Sequence, residues 1–143
     1  MTMEIATNGE RNGERLVIDA PRSLLEWLEI RARCQGLTSD EAMTRLLEGL
    51  PGLQIVDLKS LKNPPKESRR TVRLRVSKRG ALALDESSSK SGLGRSLICS
   101  KLLYGLLVSQ QVRITWDPEL NQFLLQRTQL HFDFAGKNFT PEK

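Results

Sequence analysis

The chain is poor in the residues that build catalytic centres and metal sites. It has a single histidine, His131, and two cysteines, Cys34 and Cys99, among 143 residues. The cysteines lie far apart and match no metal or redox spacing. With no secretion signal ahead of them, reduced thiols in a cytoplasmic setting are the expectation. Aromatics make up only 5% and apolar residues 38%, which favours small helical units sharing a core over one large core. No run approaches the roughly 20 apolar residues a membrane span needs, so no membrane partner is expected. The opening MTMEIATNGERNGER is polar and mildly acidic, unlike a signal or transit peptide. Residues 1–14 read as a disordered N-terminal arm.

Catalytic arrangements are equally scarce. No Ser/His/Asp set and no metal cluster is readable, so no cofactor and no enzymatic activity are expected. SGLGRS (91–96) superficially resembles a phosphate loop but lacks the Gly-Lys that should come next. It reads better as the turn between two helices. Asp117 and Glu119 form a carboxylate pair in sequence, and DPELN reads as a surface turn.

Positive charge is present in excess. The formal net charge is +5, which permits a nucleic-acid partner without demanding one. Its distribution is uneven: residues 1–62 carry a net −2 and residues 63–143 a net +7. The densest stretch is KESRRTVRLRVSKRG (66–80), with seven basic residues and one acid.

A repeat organises the chain. Shifted by 56 residues, 15–50 aligns without a gap on 71–106. Leu16, Ile18 and Ala20 fall on Val72, Leu74 and Val76; Gly36-Leu37 falls on Gly92-Leu93, and Gly49-Leu50 on Gly105-Leu106. Each copy opens with an alternating run, the mark of a strand with one buried face. Leu16, Ile18 and Ala20 point in, against Arg15, Val17 and Asp19 out. In the second copy Val72, Leu74 and Val76 point in, against Thr71, Arg73, Arg75 and Ser77. A helix comes after each strand, introduced in the first copy by Pro21 and buried through Leu24, Leu25, Leu28 and Ala32. Its counterpart is weakened by Gly80 and Ser87-Ser88-Ser89 and is left with Leu82 and Leu84 to bury it.

A second helix comes after Gly36, which suits a left-handed helix end. Thr38 and Glu41 form a capping box, and Ala42, Met43, Leu46, Leu47 and Leu50 supply an apolar face. In the second copy either Gly94 or Ser96 caps. Ile98, Cys99, Leu102, Leu103 and Leu106 form the face, with Cys99 as a small core residue.

A strand with two amphipathic helices cannot bury its own apolar surface, whereas two such units together pair their strands and share a core. These residues resemble the ribbon-helix-helix superfamily, which includes the Arc, MetJ and CopG repressors. The resemblance covers 15–50 and 71–106, about half of the chain. It is carried by the alternating strands, Pro21, the GLTSDE stretch at 36–41 and the leucines of the second helices; in the second copy by TVRLRVS, Gly92-Leu93 and RSLICSKLL.

It implies a mainly α chain with one short two-stranded antiparallel ribbon. Tandem units over 15–50 and 71–108 would share a four-helix core. In that family the ribbon enters the major groove and the second helix's N-terminus holds a phosphate, as groove dimensions and helix-end N–H groups allow. By position, Arg73, Arg75, Thr71, Ser77 and Arg15 would read bases. Thr38, Ser39, Arg95 and Ser96 would hold phosphates, with Lys66, Arg69, Arg70, Lys78 and Arg79 adding salt-dependent affinity. The partner implied is double-stranded DNA, for a bacterial regulator or a plasmid partition or transfer factor in the cytoplasm, self-associating on DNA. An antitoxin-like interaction module is the alternative.

Val17 and Asp19 depart from the pattern, since an acid in the groove repels phosphate. Intramolecular pairing with Ile18 opposite Leu74 would set Asp19 against Arg73 and Val17 against Arg75. The Pro-containing linker 51–70 holds LQIVDL, a short strand or helical turn. In the extension 109–143, VRITW alternates. The stretch after DPELN is either the return strand of a hairpin or part of a helix from Pro118 to Leu130. Trp116, Phe123, Phe132, Phe134 and Phe139 either pack on the core or form a contact surface for a protein partner.

Overall fold

The computed structural model describes residues 13–127. Residues 1–12 of the expected N-terminal arm, and the tail from 128 on with His131, Phe132, Phe134 and Phe139, lie outside them. The first strand, β1 (Glu14–Pro21), runs into helix α1 (Arg22–Cys34) and then α2 (Ser39–Glu48). A 3-10 turn (Leu50–Gly52) and a short helix α3 (Ile55–Ser60) lead to β2 (Arg69–Val76). Helices α4 (Lys78–Ser91) and α5 (Arg95–Leu103) come next, and a π-turn (Tyr104–Val108) extends α5. Strands β3 (Val112–Asp117) and β4 (Gln122–Arg127) close the described chain.

The expectation of a mainly α chain with one ribbon and a four-helix core is corrected. The described residues are mixed α/β, with five α-helices and two separate two-stranded antiparallel sheets, β1–β2 and β3–β4. The core is not a property of four helices either. Leu53, Leu58 and Leu61 from the linker, Val112 from β3 and Leu125 from β4 are buried with the helical leucines. The helix from Pro118 to Leu130 is replaced by the hairpin. Asp117 Oδ1 accepts from the N–H groups of Glu119 and Leu120, an Asx turn that lets the chain reverse.

Two glycines at equivalent repeat positions receive this hairpin. A Cβ on Gly49 would lie 2.8 Å from Leu125 Cγ, and one on Gly105 would lie 3.1 Å from Val112 Cγ2. The Leu125 N–H donates to Gly49 O at 3.1 Å. β4 is thus seated at the end of α2, and β3 on the π-turn that extends α5.

β1 and β2 pair within the chain, but two residues away from the expected register. Ile18 faces Val72, Leu16 faces Leu74, Val17 faces Arg73, Asp19 faces Thr71 and Arg15 faces Arg75. A slip of two keeps every side chain on its face, so alternation alone does not distinguish the registers. The observed one pairs all eight residues of each strand. The other would push the pairing of β1 into Ser77, the N-cap of α4.

Each second helix packs against the other unit's strand, α2 on β2 and α5 on β1. α4 forms in full despite its glycine and serines. Ser77 caps it by accepting from the Gly80 N–H at 3.0 Å. Gly80 lets it approach Leu47 of α2, where a Cβ would stand 3.2 Å from Leu47 Cβ. Its buried face is Gly80, Ala83, Leu84, Ser87 and Ser91, while Leu82 is exposed. Small residues here permit close helix packing, and tertiary contact overrides propensity.

Lys101, the counterpart of Arg45, is buried in α5. Its Nζ donates to Lys59 O at 3.2 Å and Leu61 O at 2.6 Å, tying the end of α3 to α5. Cys99 is also buried, which pushes its thiol up to about 12 against a partial lowering by Arg95. Cys34 is free and exposed. No described helix is long and apolar enough to cross a membrane.

Candidate nucleic-acid interface

The exposed face of the ribbon is built by alternation. Leu16, Ile18, Ala20, Leu74 and Val76 are buried, which turns Arg15, Val17, Asp19, Thr71, Arg73 and Arg75 outward. The register divides this face in two. One half holds Arg15 opposite Arg75 and Val17 opposite Arg73, with no acid in an outward position. Arg15 and Arg73 make no hydrogen bond or ion pair among the described residues.

The other half holds Asp19 opposite Thr71. Asp19 does not face Arg73. Its carboxylate is held instead by Arg69, whose Nε donates to Oδ2 at 3.2 Å and whose Nη2 donates to the Asp19 carbonyl at 2.7 Å. Both side chains remain about half exposed, at 43% and 53%, so the pair adds little to stability, on the order of 0–1 kcal/mol. Its larger effect is on charge: it neutralises the acid on the face and removes Arg69 from the free cations.

The first unit's second helix reaches the ribbon from the β2 side. Ser39 lines a groove of about 560 Å³ with Arg70, Thr71 and Arg73, floored by Leu25 and Leu28. Thr38 lines a neighbouring groove of about 530 Å³ with Arg75 and Ser77. The first residues of α2 therefore share grooves with Arg73 and Arg75 of β2. The capping box is present, with Thr38 Oγ1 accepting from Glu41 N–H and Glu41 Oε1 accepting from Thr38 N–H. Asp40 and Glu41 make this helix start locally acidic, which opposes a phosphate.

The second unit differs. α5 begins at Gly94 with no side-chain cap. Ser96 does not cap it; its Oγ accepts from the Asp19 N–H at 3.0 Å and so docks the helix on the edge of β1. Arg95 donates to Asp85 at 3.1 Å, both being exposed. Ser96 is thereby committed to the fold, whereas Arg95 is held only by a surface pair.

Ser77 leaves the reading set. Its hydroxyl donates to Glu48 Oε2 at 2.7 Å while accepting from Gly80 N–H, and its own N–H donates to Thr44 Oγ1. Arg79 donates to Glu48 at 3.3 Å and is drawn toward the hairpin end. Lys66, Arg70 and Lys78 are exposed along the linker, the start of β2 and the start of α4. The sequence alone does not reveal the partners Arg69, Asp85 and Glu48, because each joins residues from different parts of the chain. The signal for Arg69 comes only with the register, which sets it two places from Thr71 across from Asp19. No group of histidine, cysteine or carboxylate side chains suited to a metal occurs among the described residues.

Comparison of the chain with protein-family models, with curated proteins and with solved structures finds no match.

Proposed function

We propose that the protein binds double-stranded DNA sequence-specifically through the outward face of β1–β2 laid in the major groove. The observation that carries this is the register. It collects Arg15, Arg73 and Arg75 on one half of an exposed two-stranded ribbon, with a helix N-terminus beside it. A two-stranded ribbon is among the elements the major groove admits, and arginine bonds guanine O6 and N7 bidentately. Thr71 joins the reading set at the other half. Lys66, Arg70 and Lys78 supply phosphate contacts, with Ser39 and Arg95 at the helix starts; Thr38 is committed to the capping box, with Glu41 on its own N–H. The resemblance to the ribbon-helix-helix superfamily supports the same reading. Its biological form is a small transcriptional regulator or a plasmid partition or transfer factor, acting by binding rather than catalysis.

A second reading has one specific support. Val17 is 49% exposed beside Asp19 on the same face, a composition that suits a protein partner as well as a groove. In that reading the paired units serve as an interaction module.

Fluorescence anisotropy of labelled duplexes from the regions upstream of the protein's own gene separates the two. The proposal expects binding that survives competitor DNA and is lost in Arg73→Ala/Arg75→Ala. Each bidentate contact is worth about 1–3 kcal/mol. Weak binding that is erased by salt and equal in both proteins would refute base reading and direct the search to a protein partner.

A further inference from the structure

A small apolar cavity lies away from the ribbon's outward face, where α1, α2 and the π-turn meet β3. Its volume is about 130 Å³. Leu28 and Ala32 of α1, Ala42 and Leu46 of α2, and Leu106 and Leu107 of the π-turn supply its apolar wall. Arg31 and Arg45 also line it, no acidic residue does, and both arginines are exposed to solvent. We propose that this cavity binds a small organic acid, its apolar body among the leucines and its carboxylate between Arg31 and Arg45.

Three observations carry the assignment. The first is size. A leucine-lined cavity of about 150 Å³ holds a benzene-sized molecule, so a single ring or a short branched chain matches the apolar part of this partly open pocket. The second is charge. Two arginines without an acid among the lining residues favour a carboxylate, which a guanidinium engages with two parallel hydrogen bonds. Arg45 is held in place by the ring of Phe123, its Cζ lying 5.2 Å from the ring centroid. Phe123 belongs to β4, so the hairpin fixes one side of the carboxylate site.

The third is the wall itself. Leu106 and Leu107 lie in a five-residue π-turn (Tyr104–Val108), a widened helical turn that in proteins concentrates at functional sites. Leu28 is shared between this cavity and the groove beside β2. The assignment stands whether or not the ribbon reads DNA.

The test is a titration of the full chain with benzoate followed by 1H-15N spectra, with benzylamine as the probe of opposite charge. Saturable benzoate shifts centred on Ala32, Ala42 and Leu106 are expected, with benzylamine at least tenfold weaker. Arg31→Gln/Arg45→Gln should weaken benzoate at least tenfold while leaving the apolar wall intact. Ala42→Leu, which fills the cavity, should abolish the shifts; if it does not fold, the arginine pair still decides the matter. No saturable shift at those residues overturns the proposal. Equal binding of benzoate and benzylamine, or unchanged benzoate binding in the arginine variant, overturns it as well.

Discussion

Asp19 stands on the outward face of β1, where a carboxylate opposes a phosphate backbone, and Arg69 holds it at 3.2 Å. Replacing Asp19 by alanine removes the acid and leaves the Arg69 charge uncompensated, while the Nη2 bond to the backbone carbonyl of residue 19 still holds the guanidinium at the ribbon. The expected outcome in equilibrium binding is tighter association with duplex DNA and a salt slope steeper by about one released counterion. A loss of affinity and of base preference would instead assign Asp19 a role as acceptor from a cytosine amino group.

The two thiols differ in the same local way. Cys34 is exposed, while burial holds Cys99 up at about 12. A thiol reagent at pH 8 should therefore label one cysteine per native chain and two in denaturant, since the thiolate is the reactive species. Rapid labelling of both in the native protein would contradict the burial of Cys99.

Lys101 offers a third check, because burial draws its ammonium below the ordinary lysine value of 10.5. Below the lowered value the folded chain bears the full cost of a desolvated charge. As pH rises toward 10.5, the folded state binds fewer protons than the unfolded state and that cost fades. The stability of wild type relative to Lys101→Met should consequently improve as pH rises through that window, as measured by urea denaturation.

At the scale of elements, the hairpin pairs its own strands and docks on the rest of the chain at two glycines. A methyl group at Gly49 would stand 2.8 Å from Leu125 Cγ and 3.0 Å from Phe123 O, so β4 must shift. Gly49→Ala should cost about 1–3 kcal/mol, the usual range for overpacking, in urea denaturation. Affinity per folded molecule for DNA should be unchanged, because the residues that seat the hairpin are not on the ribbon's outward face. A neutral substitution would mean that β4 docks elsewhere.

The sequence disclosed some elements and withheld others for physical reasons. The capping box at Thr38 and Glu41, the left-handed Gly36 and the buried leucines of α1 and α2 are local patterns and were readable. The register was not, since hydrophobic alternation is unchanged by a slip of two. The choice between hairpin and helix after Asp117 was not readable either. QFLLQR lacks alternation, and what decides the matter is a bond from Leu125 to Gly49 more than seventy residues away. Leu82 misled for the opposite reason: its helix buries Leu84 together with glycine, alanine and serines, and Leu82 is left in solvent.

Across the whole molecule, two repeat units exchange partners, so that each second helix supports the other unit's strand. The pairing is unequal in its chemistry. α2 begins with an acidic capping box and lines the grooves beside Arg73 and Arg75. α5 begins uncapped, and Ser96 is spent on the β1 backbone. The mainly α class expected from the repeat failed because the linker and extension, which lie outside it, contribute a helix, a second sheet and five core residues. The candidate site was legible as a set of outward residues. Its division into an arginine half and a neutralised half needed the register and the Asp19–Arg69 contact.

That division leads to an asymmetric footprint, with guanines expected under Arg15, Arg73 and Arg75 and little demand under Asp19. Selection of bound duplexes from a random library by the full chain, compared with Arg73→Ala/Arg75→Ala, tests this most directly. The account predicts that wild type enriches a short non-palindromic site containing guanines and that the double variant enriches none. Absence of enrichment by wild type, or recovery of the same site by both proteins, would contradict the claim that this ribbon reads DNA.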